Sequence, residues 1–487
     1  MPANVRLTID NVRQHIVGID ARVPLLDGTQ QQYINFDNAA STPALRPVHD
    51  KVNDFMTWYS SVHRGAGFKS QIATMAYEVA HDLVGCFVGA DLRTNTVIFG
   101  KNTTEAINKL ARRFPLAPGD VVLCSLMEHH SNDLPWRRQA RLHHIAIRPD
   151  GSLDEDDYDR LLRRHAGRVK LVAISGASNV TGYVNPIHRL AEKAHAAGAK
   201  ILVDAAQLAP HRPIAMRADD DPGHIDFLAL SAHKIYAPYG TGVLIGPAAL
   251  FEQGDPDLVG GGTVDIVTED DVRWAGPPDR EEAGSPNVVG AVALAQAVLC
   301  LEEIGMATLA AHEADLTAHA LRCLQAIDGV QLYGMTDPDR AAERLGVIPF
   351  TVRGVDHYKV AAVLSFEGGI GVRNGCFCAQ PYIHRLLQVP DDTALRYQQE
   401  IIAGTRSNLP GLVRVSLGCY NTTDEIDHLA DLLARLVAGD LLGEYDQDPH
   451  SGVYWPRDFQ PDYERYFTLK PGLMVQPHVR DRHPCGV

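Results

Sequence analysis

Between about residues 95 and 250 of this 487-residue chain, short uninterrupted apolar runs alternate with amphipathic stretches. The runs Val97-Ile98-Phe99, Val121-Val122-Leu123-Cys124, Leu171-Val172-Ala173-Ile174, Ile201-Leu202-Val203, Phe227-Leu228-Ala229-Leu230 and Val243-Leu244-Ile245 read as strands. A strand apolar at every position has both faces covered, which is the condition of a parallel sheet between helices. The spacing predicts a helix from Thr104 to Phe114, stopped by Pro115. Another runs from Pro186 to His195, with proline in its first turn and Gly198 just past its end. This is an α/β architecture with a mostly parallel sheet. Ligands of such sheets sit beyond the carboxyl ends of the strands, so the residues after each run are the ones to inspect.

The flanks read differently. Ile72, Met75, Val79, Leu83 and Phe87 fall at helical spacing and are expected to form a buried stripe. A helix starts at Thr422, with Glu425 completing a capping box and Ile426, Leu429, Leu433 and Leu436 as its apolar face. After residue 440 come Pro449, Pro456, Pro461, Pro471, Pro477 and Pro484 among aromatics such as Trp455 and Tyr466. Proline at that density forbids long helices, so an extended arm packed on the body or on a partner subunit is expected. Lys plus Arg number 45 against 60 Asp plus Glu, a net charge of −15, which argues against nucleic-acid binding. Eight cysteines, among them Cys485, are too sparse for a disulfide scaffold. The N-terminus lacks a signal-peptide pattern, and no apolar run reaches about 18 residues. A reducing cytoplasm, free thiols and no membrane contact are the expectations.

Polar residues follow the strands in a chemically pointed way. Gly100-Lys101-Asn102-Thr103-Thr104-Glu105 opens a helix, whose free N–H groups favour a phosphate, although a capping threonine is ordinary at such a place. Glu128-His129-His130-Ser131-Asn132 offers a flat imidazole for stacking; the adjacent histidines lack a third ligand at usual spacing, so no metal is expected. Ser178-Asn179 follows the third run. Asp204 ends one strand and Ser231-Ala232-His233-Lys234 ends the next. A carboxylate or an ammonium at a buried strand end costs several kcal/mol unless partnered. A salt bridge between Asp204 and Lys234 is the plain solution. Pyridoxal phosphate is the other, with Asp204 facing the pyridinium nitrogen and Lys234 bound to the aldehyde.

These residues resemble the cysteine desulfurases of the class V aminotransferase-like, fold-type I pyridoxal phosphate enzymes, in the subgroup with selenocysteine lyases. The resemblance spans about residues 10 to 440. It is carried by Asn38-Ala39-Ala40-Ser41, Val62-His63-Arg64-Gly65, Thr103-Thr104-Glu105, Met127-Glu128-His129-His130, Ser178-Asn179, Asp204-Ala205-Ala206-Gln207, Ser231-Ala232-His233-Lys234, Glu282-Ala283-Gly284-Ser285-Pro286-Asn287 and Cys378-Ala379-Gln380-Pro381. It implies a large domain on a mostly parallel seven-stranded sheet and a smaller α+β domain. The expected divisions are an N-terminal segment (1–40), a large cofactor-binding domain (41–295), a small domain with the cysteine loop (296–440) and a C-terminal arm (441–487).

By position, the resemblance makes Lys234 the cofactor lysine, Asp204 the ring-nitrogen partner and His129 the stacking residue. Gln207 and Asn179 would lie at the ring oxygen. Thr103, Thr104, Ser231 and His233 would hold the phosphate. Ser285 would reach the phosphate of a neighbouring subunit, implying a homodimer. Arg414, with Arg373 and Asn179, would take the substrate carboxylate, and Cys378 would carry sulfur as a persulfide. Gly375 is expected to leave that loop mobile. Cys376-Phe377 departs from the usual His-His and resembles the desulfurase domain of molybdenum cofactor sulfurases, leaving the sulfur acceptor open. A buried spare thiol is the plain reading of Cys376. An insertion at 390–412 and the tail beyond 440 lie outside the common pattern. The expected reaction converts L-cysteine to L-alanine with sulfur passing to Cys378. A selenocysteine lyase or C–S lyase, and an aminotransferase or epimerase without persulfide chemistry, are the alternatives.

Overall fold

Seven strands form one mixed sheet in the spatial order Asn95–Gly100, Gly242–Pro247, Phe227–Ser231, Lys200–Asp204, Val169–Ser175, Val121–Ser125, Arg141–Ile145. The description is of a computed structural model and covers residues 6–63 and 65–469. Arg64, Cys485 and the prolines at 471, 477 and 484 lie outside the described residues. Six strands are those expected from the apolar runs. The seventh, Arg141–Ile145, is a half-buried edge whose sequence Arg-Leu-His-His-Ile carries no such run. The sheet is parallel except for Gly242–Pro247, which runs antiparallel to both neighbours. Register sets the site: Gly242 pairs with both Gly100 and Ser231, and Ser175 pairs with Asp204. Those pairs align the polar strand ends along one edge. A Cβ on Gly242 would stand 2.3 Å from the Asn102 backbone, so glycine is required for the following turn to close on the sheet.

The helix Val288–Ile304 is apolar nearly all round and packs against Arg46–Trp58 and Phe68–Phe87. The stripe expected on Phe68–Phe87 is corrected. Its buried face is Ser70, Ala73, Tyr77, Ala80 and Val84, while Met75 and Val79 are 58% and 46% exposed. Small residues let this helix lie close to its neighbour, and the bulkier apolar residues are left outside. Pro186 likewise stands at the cap position rather than in the first turn, and the helix is Ile187–Ala196. Among the described residues no single helix is long and apolar enough to cross a membrane.

A second, antiparallel sheet has the order Val330–Leu332, Val347–Val352, Leu412–Ser416, Arg373–Gly375. The helices Met306–Gln325, His357–Gly368 and Thr423–Ala438 pack with it. Thr422 and Glu425 form the expected capping box, and Ile426, Leu429, Leu433 and Leu436 are buried. The N-terminal Ile34–Asn35 pairs in parallel with Ile370–Gly371, and Asp37 bridges to Ser416. The insertion forms the helix Asp391–Ile402 and a loop into Leu412–Ser416. The tail folds as a hairpin, Tyr445–Gln447 against Tyr454–Pro456, rather than as a wholly extended arm. Trp455 and Phe459 pack on Phe366, at 5.8 and 5.9 Å between ring centroids. Gln447 donates to the Ser407 carbonyl at 3.0 Å, and the Arg406 N–H donates to Pro449 at 3.1 Å. The tail therefore braces the insertion.

Candidate active site

The strand Lys200–Asp204 delivers Asp204 to a position where its carboxylate accepts the Ala206 N–H at 3.0 Å. Burial pushes this acid upward, with the Ala206 N–H and the Lys234 charge opposing. Lys234 ends the turn Ala232–Lys234 after the neighbouring strand. Burial lowers it to about 8, while the Asp204 charge acts the other way. The two groups make no ion pair within 4.0 Å, so the salt bridge that sequence alone allowed does not form. Two ionisable groups feeling each other across a cavity without pairing suit a ligand carrying both an aldehyde and a protonatable ring nitrogen.

The helix Thr103–Arg113 starts at the same edge. Asn102, not a threonine, caps it by accepting the Glu105 N–H at 3.0 Å. That frees both threonines. Thr103 Oγ1 lies 2.7 Å from Ser231 Oγ, which also accepts the Thr103 N–H at 2.8 Å. Thr104 Oγ1 lies 2.7 Å from Ser131 Oγ. Hydroxyls gathered at a helix N-terminus fit a phosphate. His233 flanks this corner, lowered to about 4 by burial and by Lys234.

His129 Nδ1 accepts the Ser131 N–H at 3.1 Å, so the neutral ring keeps its proton on Nε2. Burial, then Lys234, His130 and Arg414, lower it to about 3, and it is neutral across the working pH range. Glu128 lies beneath, 3% exposed, taking hydrogen bonds from Ser125, Ser175 and Asn132. Its burial pushes it up to about 7 against those bonds. Gln207 gives its amide N–H to the Ala39 carbonyl at 2.7 Å.

The second sheet closes the cavity. Arg414 Nη1 donates to the Asn179 carbonyl and Nη2 to Asp37 Oδ1, both at 2.9 Å. Its guanidinium lies over the Phe377 ring, 4.8 Å from the centroid. Its Nε is buried without a partner. Arg373 pairs in register with Arg414 and stands 3.8 Å from Asp37. Two guanidiniums around one carboxylate leave a net positive charge for an incoming anion.

In this conformation the cysteine loop is tied to the large domain by two hydrogen bonds. The Cys378 carbonyl accepts the His130 N–H at 2.7 Å, and the Phe377 carbonyl accepts the Asn179 amide at 2.8 Å. Gly375 has φ +101°, and Phe377 and Cys378 also take left-handed values of 47° and 54°. This backbone turns Cys378 into the cavity and Cys376 away from it. Cys376 Sγ meets the Pro410 carbonyl of the insertion at 3.4 Å. Burial, then the neighbouring Cys378, push the Cys376 thiol up to about 12.

One cavity of about 220 Å³ is lined by Thr103, Thr104, His129, Asn179, Asp204, Gln207, Ser231, His233, Lys234, Arg373, Cys378 and Arg414. Ser285 is exposed and does not line it. Asp37, Ser131 and Phe377 belong to the site's geometry, although the sequence assigns none of them a role there. Asp37 directly precedes the Asn38 motif, yet nothing in the chain links it to an arginine 377 positions away.

A mixed seven-stranded sheet with this cavity over its strand ends is the architecture of the fold-type I pyridoxal phosphate enzymes. The chain belongs to the class V aminotransferase family: the model described as Aminotransferase class-V matches residues 34–429. It is 37% identical over 408 residues to a probable cysteine desulfurase of Halobacterium salinarum, covering 82% of this chain and 90% of that protein. It is 35% identical over 410 residues to a cysteine desulfurase of Serratia proteamaculans, covering 82% and 92%. The apo structure of a cysteine desulfurase from Thermococcus onnurineus superposes with a TM-score of 0.76 at 31% identity, over 90% of this chain and all of that one.

Proposed function

We propose that this chain is a pyridoxal phosphate-dependent cysteine desulfurase that converts L-cysteine to L-alanine and hands the sulfur, through a persulfide on Cys378, to an acceptor. The observation that carries this reading is that a thiol, Cys378, lines the same cavity as Lys234, Asp204 and Arg414. An aminotransferase or epimerase has no use for that thiol. The alignments with cysteine desulfurases support the same reading.

When bound, pyridoxal phosphate supplies an aldehyde for the substrate amine and a ring that accepts electrons. Asp204 holds a proton on the ring nitrogen. The Thr103 to Ser231 corner and His233 take the phosphate, and neutral His129 covers the ring face. Arg414 orients the substrate carboxylate, using the unpartnered Nε and the charge left over beside Asp37. Lys234, already lowered towards neutrality, takes the Cα proton as a general base. Cys378 attacks the substrate sulfur as a thiolate. A sulfur–sulfur bond forms and the Cβ–S bond breaks. Its electron pair stays with carbon, which takes a proton to become the methyl group of alanine.

The active form is a homodimer. Met56, Trp58, Tyr59, Phe68, Met75 and Val79 expose an apolar face along two neighbouring helices. Tyr77 and His81, on the inner side of the second of these helices, hold Glu282, three residues before exposed Ser285. In that dimer Ser285 would reach the phosphate held by the second subunit.

Incubating the purified protein with L-cysteine and measuring alanine and protein-bound sulfane sulfur tests the reading. Alanine in step with persulfide is expected. A keto acid in place of alanine overturns it. Lys234→Ala is expected to lose the cofactor's visible absorption and all turnover.

A further inference from the structure

His319, Cys323 and Asp427 form a cluster of potential metal ligands between two helices that pack with the smaller sheet. His319 and Cys323 are one turn apart on Met306–Gln325, and Asp427 comes from Thr423–Ala438 packed alongside. Spacing of four residues puts two side chains on one helix face. Cys323 Sγ lies 3.5 Å from His319 Nε2 and 3.7 Å from Asp427 Oδ1, and His319 Nε2 lies 2.6 Å from Asp427 Oδ1. Thiolate, imidazole and carboxylate bonds to zinc at tetrahedral angles separate the donor atoms by about 3.3–3.7 Å. Two of the three separations already have that length. The third opens when the histidine–aspartate hydrogen bond gives way to a shared ion, which the 54% exposed Asp427 side chain can follow.

Two further groups of potential ligands offer a comparison. In Cys124, Asp133 and His144, the carboxylate is gripped by both arms of Arg137. In His195, His224 and Asp226, it is paired with Lys200 at 2.7 Å. A resident cation competes with a metal at each. No Lys or Arg is paired with Asp427 among the described residues. Asp431, four residues beyond Asp427, is the next carboxylate on the same face of Thr423–Ala438.

We propose that His319, Cys323 and Asp427 form a zinc site that staples the two helices covering the smaller sheet, with Asp431 or water as fourth ligand. The thiol makes the site selective for a soft-tolerant ion such as zinc over magnesium or calcium. A thiol binds zinc as the thiolate, so its proton leaves to solvent on binding.

The test is alkylation of Cys323 in the cofactor-loaded protein, read by peptide mass spectrometry with and without zinc chloride. Because the readout is Cys323 itself, zinc at other thiols does not register. Zinc is expected to slow alkylation of wild type. In His319→Ala and Asp427→Asn, protection should need at least about 10-fold more zinc, the loss typical of removing even an outer-shell partner. Asn at 427 keeps a hydrogen-bond acceptor for His319, so the helix pair survives. Zinc should raise the melting temperature of wild type and not of Cys323→Ser. Equal alkylation rates with and without zinc, or protection that persists unchanged in His319→Ala, overturn the site.

Discussion

Cys376 and Cys378 are two residues apart and chemically opposite. The left-handed backbone at Phe377 and Cys378 aims one thiol at Lys234 and Arg414 and leaves the other on the Pro410 carbonyl. Cys378→Ser is expected to bind cofactor and cysteine yet form no persulfide, because a hydroxyl is scarcely ionised at neutral pH. Cys376→Ser keeps most activity. Mass spectrometry finding the persulfide on Cys376 in wild type would reverse the assignment. Arg414→Gln removes a charged hydrogen-bonding fork worth about 1.5–3 kcal/mol, so kcat/KM for cysteine should fall roughly 10- to 100-fold. A change below twofold would mean that the carboxylate sits elsewhere. Glu128 supplies a test by pH. Its folded value of about 7 lies above the ordinary carboxyl value, so the folded chain binds its proton more tightly than the unfolded chain. Stability from this group is present at the acid end and is lost as pH rises through the window between the two values. The melting temperature of Glu128→Gln should gain on wild type from about pH 5 to about pH 8, and a flat difference would show that Glu128 does not titrate there.

At the scale of elements, the insertion and the tail act as one unit. His357 accepts from Asn374 beside the cysteine loop at 3.1 Å, and its other nitrogen meets the Leu409 carbonyl at 3.1 Å. With the Cys376–Pro410 contact, this ties the cysteine loop to the insertion, which the tail hairpin holds in turn. Trp455→Ala removes an aromatic packed on Phe366 and should cost about 1–2 kcal/mol, less than a fully buried tryptophan because the site is half-exposed. Limited proteolysis should then cut first between residues 403 and 408. Cleavage at the wild-type rate would show that the insertion stands without the hairpin.

For the whole molecule, the proposed dimer would bury the exposed face of Phe68–Phe87. Light scattering is expected to give twice the chain mass of 53.2 kDa. Met75→Glu places a charge in that face, whose burial costs several kcal/mol, and should yield monomers that lose cofactor more readily. A fully active monomer would remove the role assigned to Ser285.

Much of this protein is legible in one dimension. A strand buried on both faces must be apolar at every position, so six strands of the large sheet announce themselves, and the polar residues ending them mark the cavity. The edge strand Arg141–Ile145 escapes because a half-buried edge imposes no such pattern. The stripe on Phe68–Phe87 misleads for a related reason. Periodicity shows which residues share a face, but not whether that face meets this chain or another. Only the tertiary structure decided that Asp37 meets Arg414, that Asn102 rather than a threonine caps its helix, and that Cys376 points away from Cys378. Each depends on chain register and backbone sign at a few positions, which bring together residues that no local preference connects.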